Sequence, residues 1–193
     1  MNTQQTIFTT AVDIIEHHGS TALTMRRLAG KIGLTPMALY RHYKNRDRLL
    51  TAVAEQYFSA MAARWQAYAA DNPYDRALAL IGADLIQFSL EHPHIYRLMF
   101  IEPRADARTI PKNSGDNESP TFSIVVACVQ RGITDGALHG GSAPEIALAL
   151  ASQVHGLVAL RQGGRLHMSD ADFRTCCEKA FVRAISAYKT DTN

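Results

Sequence analysis

Between Thr24 and Arg46 the chain has room for only two short helices, and the residues that bound them fix how they meet. Thr24 stands before an apolar-periodic run and caps a helix from Met25 to Ile32. Gly33 ends that helix, because glycine takes the left-handed C-terminal position without a steric penalty. Thr35 followed by Pro36 is a second N-cap with proline at the first helical position, and it starts a helix that runs to about Tyr43. Leu28, Ala29, Ile32, Leu34, Leu39 and Tyr43 fall where they can pack on neighbouring helices, and Ala29 and Ala38 are small enough to let those helices approach. Thr35, Pro36, Met37, Tyr40, Arg41 and Lys44 are left facing outward. Two short helices joined by a tight turn form a helix-turn-helix, whose first helix crosses a DNA backbone while the second enters the major groove.

Charge supports that assignment once it is divided along the chain. The net charge is only +2 over 193 residues. Residues 1–50, however, hold seven Lys or Arg against three Asp or Glu, a balance of +4, which leaves −2 for the remainder. A local basic excess suits a polyanion, since each cation that meets a phosphate releases condensed counterions. Tyr40 offers a hydroxyl, His42 an imidazole N–H, and Lys44 and Arg46 full positive charge, all near helix ends that would meet a DNA strand. Thr24, at the head of the first helix of the pair, joins this DNA-facing set. Sequence reading falls to Arg26, able to grip guanine O6 and N7, and to Thr35, Pro36, Met37 and Arg41, whose apolar or mixed edges suit thymine methyls.

The rest of the chain reads as helix almost throughout, with no alternation long enough for a sheet, so the fold class is all-α with about nine helices. A first helix spans about Thr6 to His17, carries Ile7, Ala11, Ile14 and Ile15 on one face, and stops at Gly19. A fourth starts at an Asn45 cap with Asp47 in its first turn and continues to about Ala70. Asn72 and Pro73 open the next, which His92 and Pro93 break, and a short segment follows from His94 to Ile101. Residues 102–118 mix Pro, Asp, Arg, Asn, Ser and Gly without apolar spacing and read as a mobile surface loop. Helix resumes at Pro120 and runs toward a stop at Gly132. Ser142-Ala143-Pro144-Glu145 is a capping box that launches a long helix to about Gln162, and Ser169 starts the last one. The expected domains are a helix-turn-helix domain over 1–46 and a helical effector-binding and dimerisation domain over 47–193.

The same residues carry a family resemblance. LTMRRLAGKIGLTPMALYRHYKNRDRLL resembles the N-terminal domain of TetR-type repressors. The likeness covers residues 6–53, in the order Arg-Leu-Ala, Gly-Leu, Leu-Tyr-x-His-aromatic and Lys-x-x-Asp-x-Leu-Leu. Ala38 departs from it, standing where many members have glycine or threonine. The resemblance implies that Tyr40, His42 and Lys44 form a phosphate clamp and that Arg26 contacts a base or a phosphate. FSLEHPHIYRLMF and SQVHGLVALRQGG are similar to the C-terminal domain of a subgroup marked by Trp-His-Gly; here Val154 replaces the tryptophan, while His155 and Gly156 remain.

Palindromic half-sites lie about 34–36 Å apart or at multiples of that, so two reading heads must be held at fixed spacing by a two-fold dimer. The last two helices, 143–162 and 170–188, are long, Ala-rich and adjacent, and the family resemblance places the homodimer interface there. It also implies a chamber for a small organic effector among the middle helices. Met61, Trp65, Phe88, Tyr96, Phe100, Phe122 and His155 are the bulky inward residues that could line it, and their mixture favours an apolar or aromatic effector.

Other functions find less support. Cys128, Cys176 and Cys177 make neither an even set nor a C-x-x-C pair, which fits free thiols in a reducing cytoplasm. No cofactor and no metal is expected. The rival readings are a metal-responsive sensor using His92 and His94 with His139 or His155, and a helical small-molecule-binding protein without operator specificity. For catalysis there is no Gly-rich phosphate loop, no G-x-S-x-G elbow and no paired carboxylates with an evident cleft. The start of the chain lacks a signal-peptide pattern, and no apolar stretch reaches the ~18 residues of a membrane span.

Overall fold

The computed structural model describes residues 2–105, 107–108 and 119–190. Most of the stretch expected to be a mobile loop, 102–118, lies outside them. In chain order the described helices are α1 (Thr3–His18), a 3-10 turn (Ser20–Ala22), α2 (Met25–Ile32), α3 (Pro36–Tyr40), α4 (Arg46–Asp71), α5 (Tyr74–Glu91), α6 (Pro93–Phe100), α7 (Pro120–Thr134), α8 (Ala143–Gln162) and α9 (Asp170–Ser186). Among the described residues there is no strand, only an isolated bridge between Leu138 and Lys189. By packing, the chain divides into two units: residues up to Ala60 with those from His92 to Ala107, and Met61 to Glu91 with those from Arg108 onward. The division does not fall at residue 46, because the first part of α4 and all of α6 belong with the helix-turn-helix.

In the first unit α1 lays its apolar face, Ile7, Ala11, Ile14 and Ile15, into the core. It begins three residues earlier than expected because the Asn2 side chain accepts the Gln4 N–H at 3.2 Å. Leu28 and Ala29 of α2, Leu39 of α3, and Leu49, Leu50, Val53 and Ala54 of α4 complete that core. The caps act as the sequence indicates. Thr24 Oγ1 accepts the Arg27 N–H at 3.1 Å, and Thr35 Oγ1 accepts the Ala38 N–H at 3.3 Å. Gly33 sits at φ 68° and sends its N–H to the Ala29 carbonyl. Helix α3 ends at Tyr40 rather than Tyr43, where the His42 N–H bonds the Leu39 carbonyl three residues back at 2.9 Å, a tighter turn than the α-helix. Further along the unit, Phe58, Tyr96 and Phe100 form an aromatic group with ring centroids 5.3 and 5.1 Å apart.

The second unit packs α5, α7, α8 and α9 around Leu78, Leu85, Cys128, Val129, Leu150, Val154, Phe173 and Cys177. Arg131 on α7 donates to the carbonyls of Ala69 and Asn72, tying α7 to the α4–α5 junction. Gly132 does not stop α7, which runs on to Thr134. Its role is steric: a Cβ there would lie 2.7 Å from Leu138 Cδ1 and 2.8 Å from the Tyr74 ring. The capping box at α8 forms, with the Ser142 N–H donating to Glu145 Oε2 at 2.9 Å. Those bonds hold the Glu145 carboxyl below the usual range. Arg161 joins α8 to α9 through Asp170 and the Met168 carbonyl, with its guanidinium 4.8 Å from the Phe173 ring centre. Contrary to the membrane-span expectation, α8 is long and apolar enough by length and composition to cross a membrane, although only a third of the relevant window is buried. Pro144, Glu145, Ser152 and Gln153 interrupt its apolar run, which hides the span in the sequence.

Candidate nucleic-acid interface

Leu39, with no exposed surface, anchors α3 to the first unit and thereby decides which of its residues remain in solvent. Thr35, Pro36, Met37, Tyr40, Arg41, His42 and Lys44 are all exposed, as are Thr24 and Arg26 at the start of α2. Met37 is 71% exposed and Tyr40 47%, a large apolar pair on a short, otherwise polar and basic surface. Water is a poor partner for such a pair, and the thymine methyls and sugars of a DNA groove are a better one. The two capping threonines keep their hydroxyl hydrogens while their oxygens accept backbone N–H groups, so both can still donate to a phosphate. Ala38 is half-buried and adds no polar group to this surface.

Arg46 is the exception among the ten expected DNA contacts. Its Nε donates to the Leu23 carbonyl and its Nη2 to the Ser20 carbonyl, both at 2.7 Å, and Nη1 lies 3.6 Å from Asp47. The guanidinium thus braces the turn before α2 against the start of α4. Lys31 has a comparable bracing role, bonded to Asp13 at 2.8 Å across α1 and α2, and its charge lowers the Asp13 pKa.

The seven residues expected around an effector do not fall in one core. Met61, Trp65, Phe88, Phe122 and His155 lie in the second unit, whereas Tyr96 and Phe100 lie in the first, where Phe100 meets Phe58 edge-to-face and Tyr96 at a tilt. A stripe of bulky residues reads alike in sequence whichever core it enters. The Trp65 indole N–H donates to Asp84 at 2.7 Å, the same carboxylate that receives Arg64. His155 is half-buried, and burial pushes its pKa down to about 4.

Of the histidines weighed as metal ligands, His92 Nδ1 lies 2.9 Å from Glu16, which also accepts the Tyr57 hydroxyl at 2.8 Å. The His94 ring packs against Gly19. Among the described residues no group of three or more His, Cys, Asp or Glu is placed to hold a metal. The Glu16–Tyr57–His92 group itself escaped sequence reasoning, since its members lie far apart along the chain and follow no common period.

An exposed basic helix-turn-helix on an all-helical chain defines the class of helix-turn-helix proteins, and comparison with known proteins narrows it. Residues 7–53 match the family described as bacterial regulatory proteins of the tetR family, and residues 78–184 match the tetracyclin repressor-like C-terminal domain. The class C tetracycline repressor of Escherichia coli is 40% identical over 52 residues, covering 27% of this chain and 24% of the repressor. The class A repressor from transposon 1721, also from Escherichia coli, is 40% identical over 50 residues, 26% of this chain and 23% of its own. The chain thus matches about a quarter of the length of these curated relatives. A tetR-family regulatory protein from Rhodococcus RHA1 shares the fold over 100% of both chains, with TM-score 0.71 at 19% identity. The SmeT–triclosan complex superposes with TM-score 0.69 at 18% identity, over 97% of this chain and 92% of that one. This chain belongs to the TetR family of bacterial regulatory proteins.

Proposed function

We propose that this protein is a ligand-responsive transcriptional repressor that binds a palindromic operator as a homodimer. The exposed face of α3, with Met37 and Tyr40 in solvent beside Arg41, His42 and Lys44, carries the reading. Tyr40, His42 and Lys44 hold backbone phosphates, while Arg26, Thr35, Pro36, Met37 and Arg41 meet base edges. The two heads are joined through α8 and α9, which leave Leu148, Leu160 and Val182 43%, 47% and 58% exposed in the single chain. Two copies burying such residues against each other form a self-complementary interface. The effector is a small apolar or aromatic molecule held in the second unit, a reading supported by the buried aromatic residues there and by the triclosan in the SmeT complex. It releases the operator by binding the non-operator conformation more tightly, with a coupling of about 1–3 kcal/mol. Selection of random duplexes on the purified protein tests the proposal. Enrichment of an inverted repeat is expected, and recovery of no common sequence would overturn it.

A further inference from the structure

Four separate stretches of the first unit close on one cleft of about 720 Å³: Ser20 and Thr21, the start of α4 from Asn45 to Thr51, Arg97 on α6, and Glu102 to Ala105 just beyond it. That volume lies within the ~300–1,000 Å³ of small-molecule sites. Among the described residues its walls carry Arg46, Arg48, Arg97 and Arg104 against two carboxylates, Asp47 and Glu102, and only Leu50, Pro103 and Ala105 are apolar. Asp47 has a cationic partner, whereas the partner of Glu102 is a neutral hydroxyl, so three arginine charges face one carboxylate charge. Glu102 accepts the Ser20 hydroxyl at 2.6 Å, and Asp47 lies 3.6 Å from Arg46. Arg46 is fixed by its two backbone carbonyls, a rigid positive wall rather than a swinging side chain. Arg48 and Arg97 are exposed and can turn toward a guest.

Arginine's planar fork matches carboxylate and phosphate oxygens two at a time. A DNA duplex presents its phosphates on a convex surface and meets projecting side chains, as those of α3 are. A concave cleft with positive walls suits a small, multiply charged guest instead. We infer that this cleft binds a small organic polyanion bearing carboxylate or phosphate groups, at a site separate from the effector chamber proposed for the second unit. The inference does not depend on the repressor reading.

Calorimetric titration of the full chain with citrate and with inorganic phosphate, at ionic strength held constant with chloride, tests it. Saturable binding of at least one probe is expected. Arg97→Glu together with Arg104→Glu should weaken binding about tenfold or more, as expected for lost charge-assisted hydrogen bonds. Glu102→Gln removes a rival negative charge while leaving an oxygen for the Ser20 hydroxyl, so it should tighten binding; this variant keeps the test decisive should the double variant fail to fold. Absence of saturable binding of both probes across the millimolar range would overturn the inference. Equal affinity in the wild type and the folded arginine variant would do so too, as would unchanged or weaker binding by Glu102→Gln. If the arginine variant lost affinity for duplex DNA while its response to citrate and phosphate stayed unchanged, the cleft would be a DNA contact instead.

Discussion

Arg46 and Lys44 lie two positions apart in the same basic run, yet the structure gives them different surroundings. Lys44 is exposed, whereas Arg46 directs Nε and Nη2 to the Leu23 and Ser20 carbonyls. Lys44→Ala should therefore weaken binding to all duplexes alike and lower the salt slope by about one. Its folding stability should move by no more than about 0.5 kcal/mol. Arg46→Ala leaves two carbonyls without their charged donor and should lower stability by about 1–3 kcal/mol in denaturant titration. Arg26→Ala should instead relax preference at a single base pair, seen as a changed consensus in duplex selection. The run of basic residues was plain in the sequence; which of them braces the protein was not, because the partners of Arg46 are backbone carbonyls more than twenty positions away.

The helices were the most legible elements, and their ends show where local signals suffice. Thr24, Gly33, Thr35, Ser142 and Ser169 act on backbone groups within a few residues of themselves, so a cap or a stop can be read from the chain alone. Gly132 shows the limit. A glycine inside an apolar-periodic run looks like a terminator, but here it makes room for Leu138 and Tyr74 within α7. Gly132→Ala should thus destabilise by about 1–3 kcal/mol through overpacking. Gly30→Ala in α2, where a Cβ meets nothing within 4 Å, should stabilise by about 0.5–1 kcal/mol through helix propensity. Denaturant midpoints of the two variants on either side of the wild type would bear this out; a stabilised Gly132→Ala would refute the packing role.

At the scale of the whole molecule, two properties depend on burial. If α8 and α9 pair two copies, Leu160→Glu with Val182→Glu places charge in the seam. Sedimentation should then show monomers, and operator affinity should fall even though α3 is untouched. His155 supplies a pH dependence. Burial lowers its pKa from 6.5 to about 4, so between those values the unfolded chain takes up a proton that the folded chain refuses. This stabilising contribution is complete above pH 6.5 and is lost as pH falls through the window, by at most about 3 kcal/mol. The stability gap between wild type and His155→Gln, followed at fixed protein concentration, should change from pH 7 to pH 4.5 with that sign.

The sequence by itself determined the all-helical class, the helix-turn-helix and its exposed polar and basic face, because these follow from caps, periodicity and charge acting within a few residues. Tertiary structure alone decided that Arg46 braces the head, that α6 packs with the first unit and that the expected effector residues divide between two cores. It also decided that four arginines from three separate stretches line one cleft. Each of these depends on which distant surfaces are buried together, and a local pattern does not record its partner.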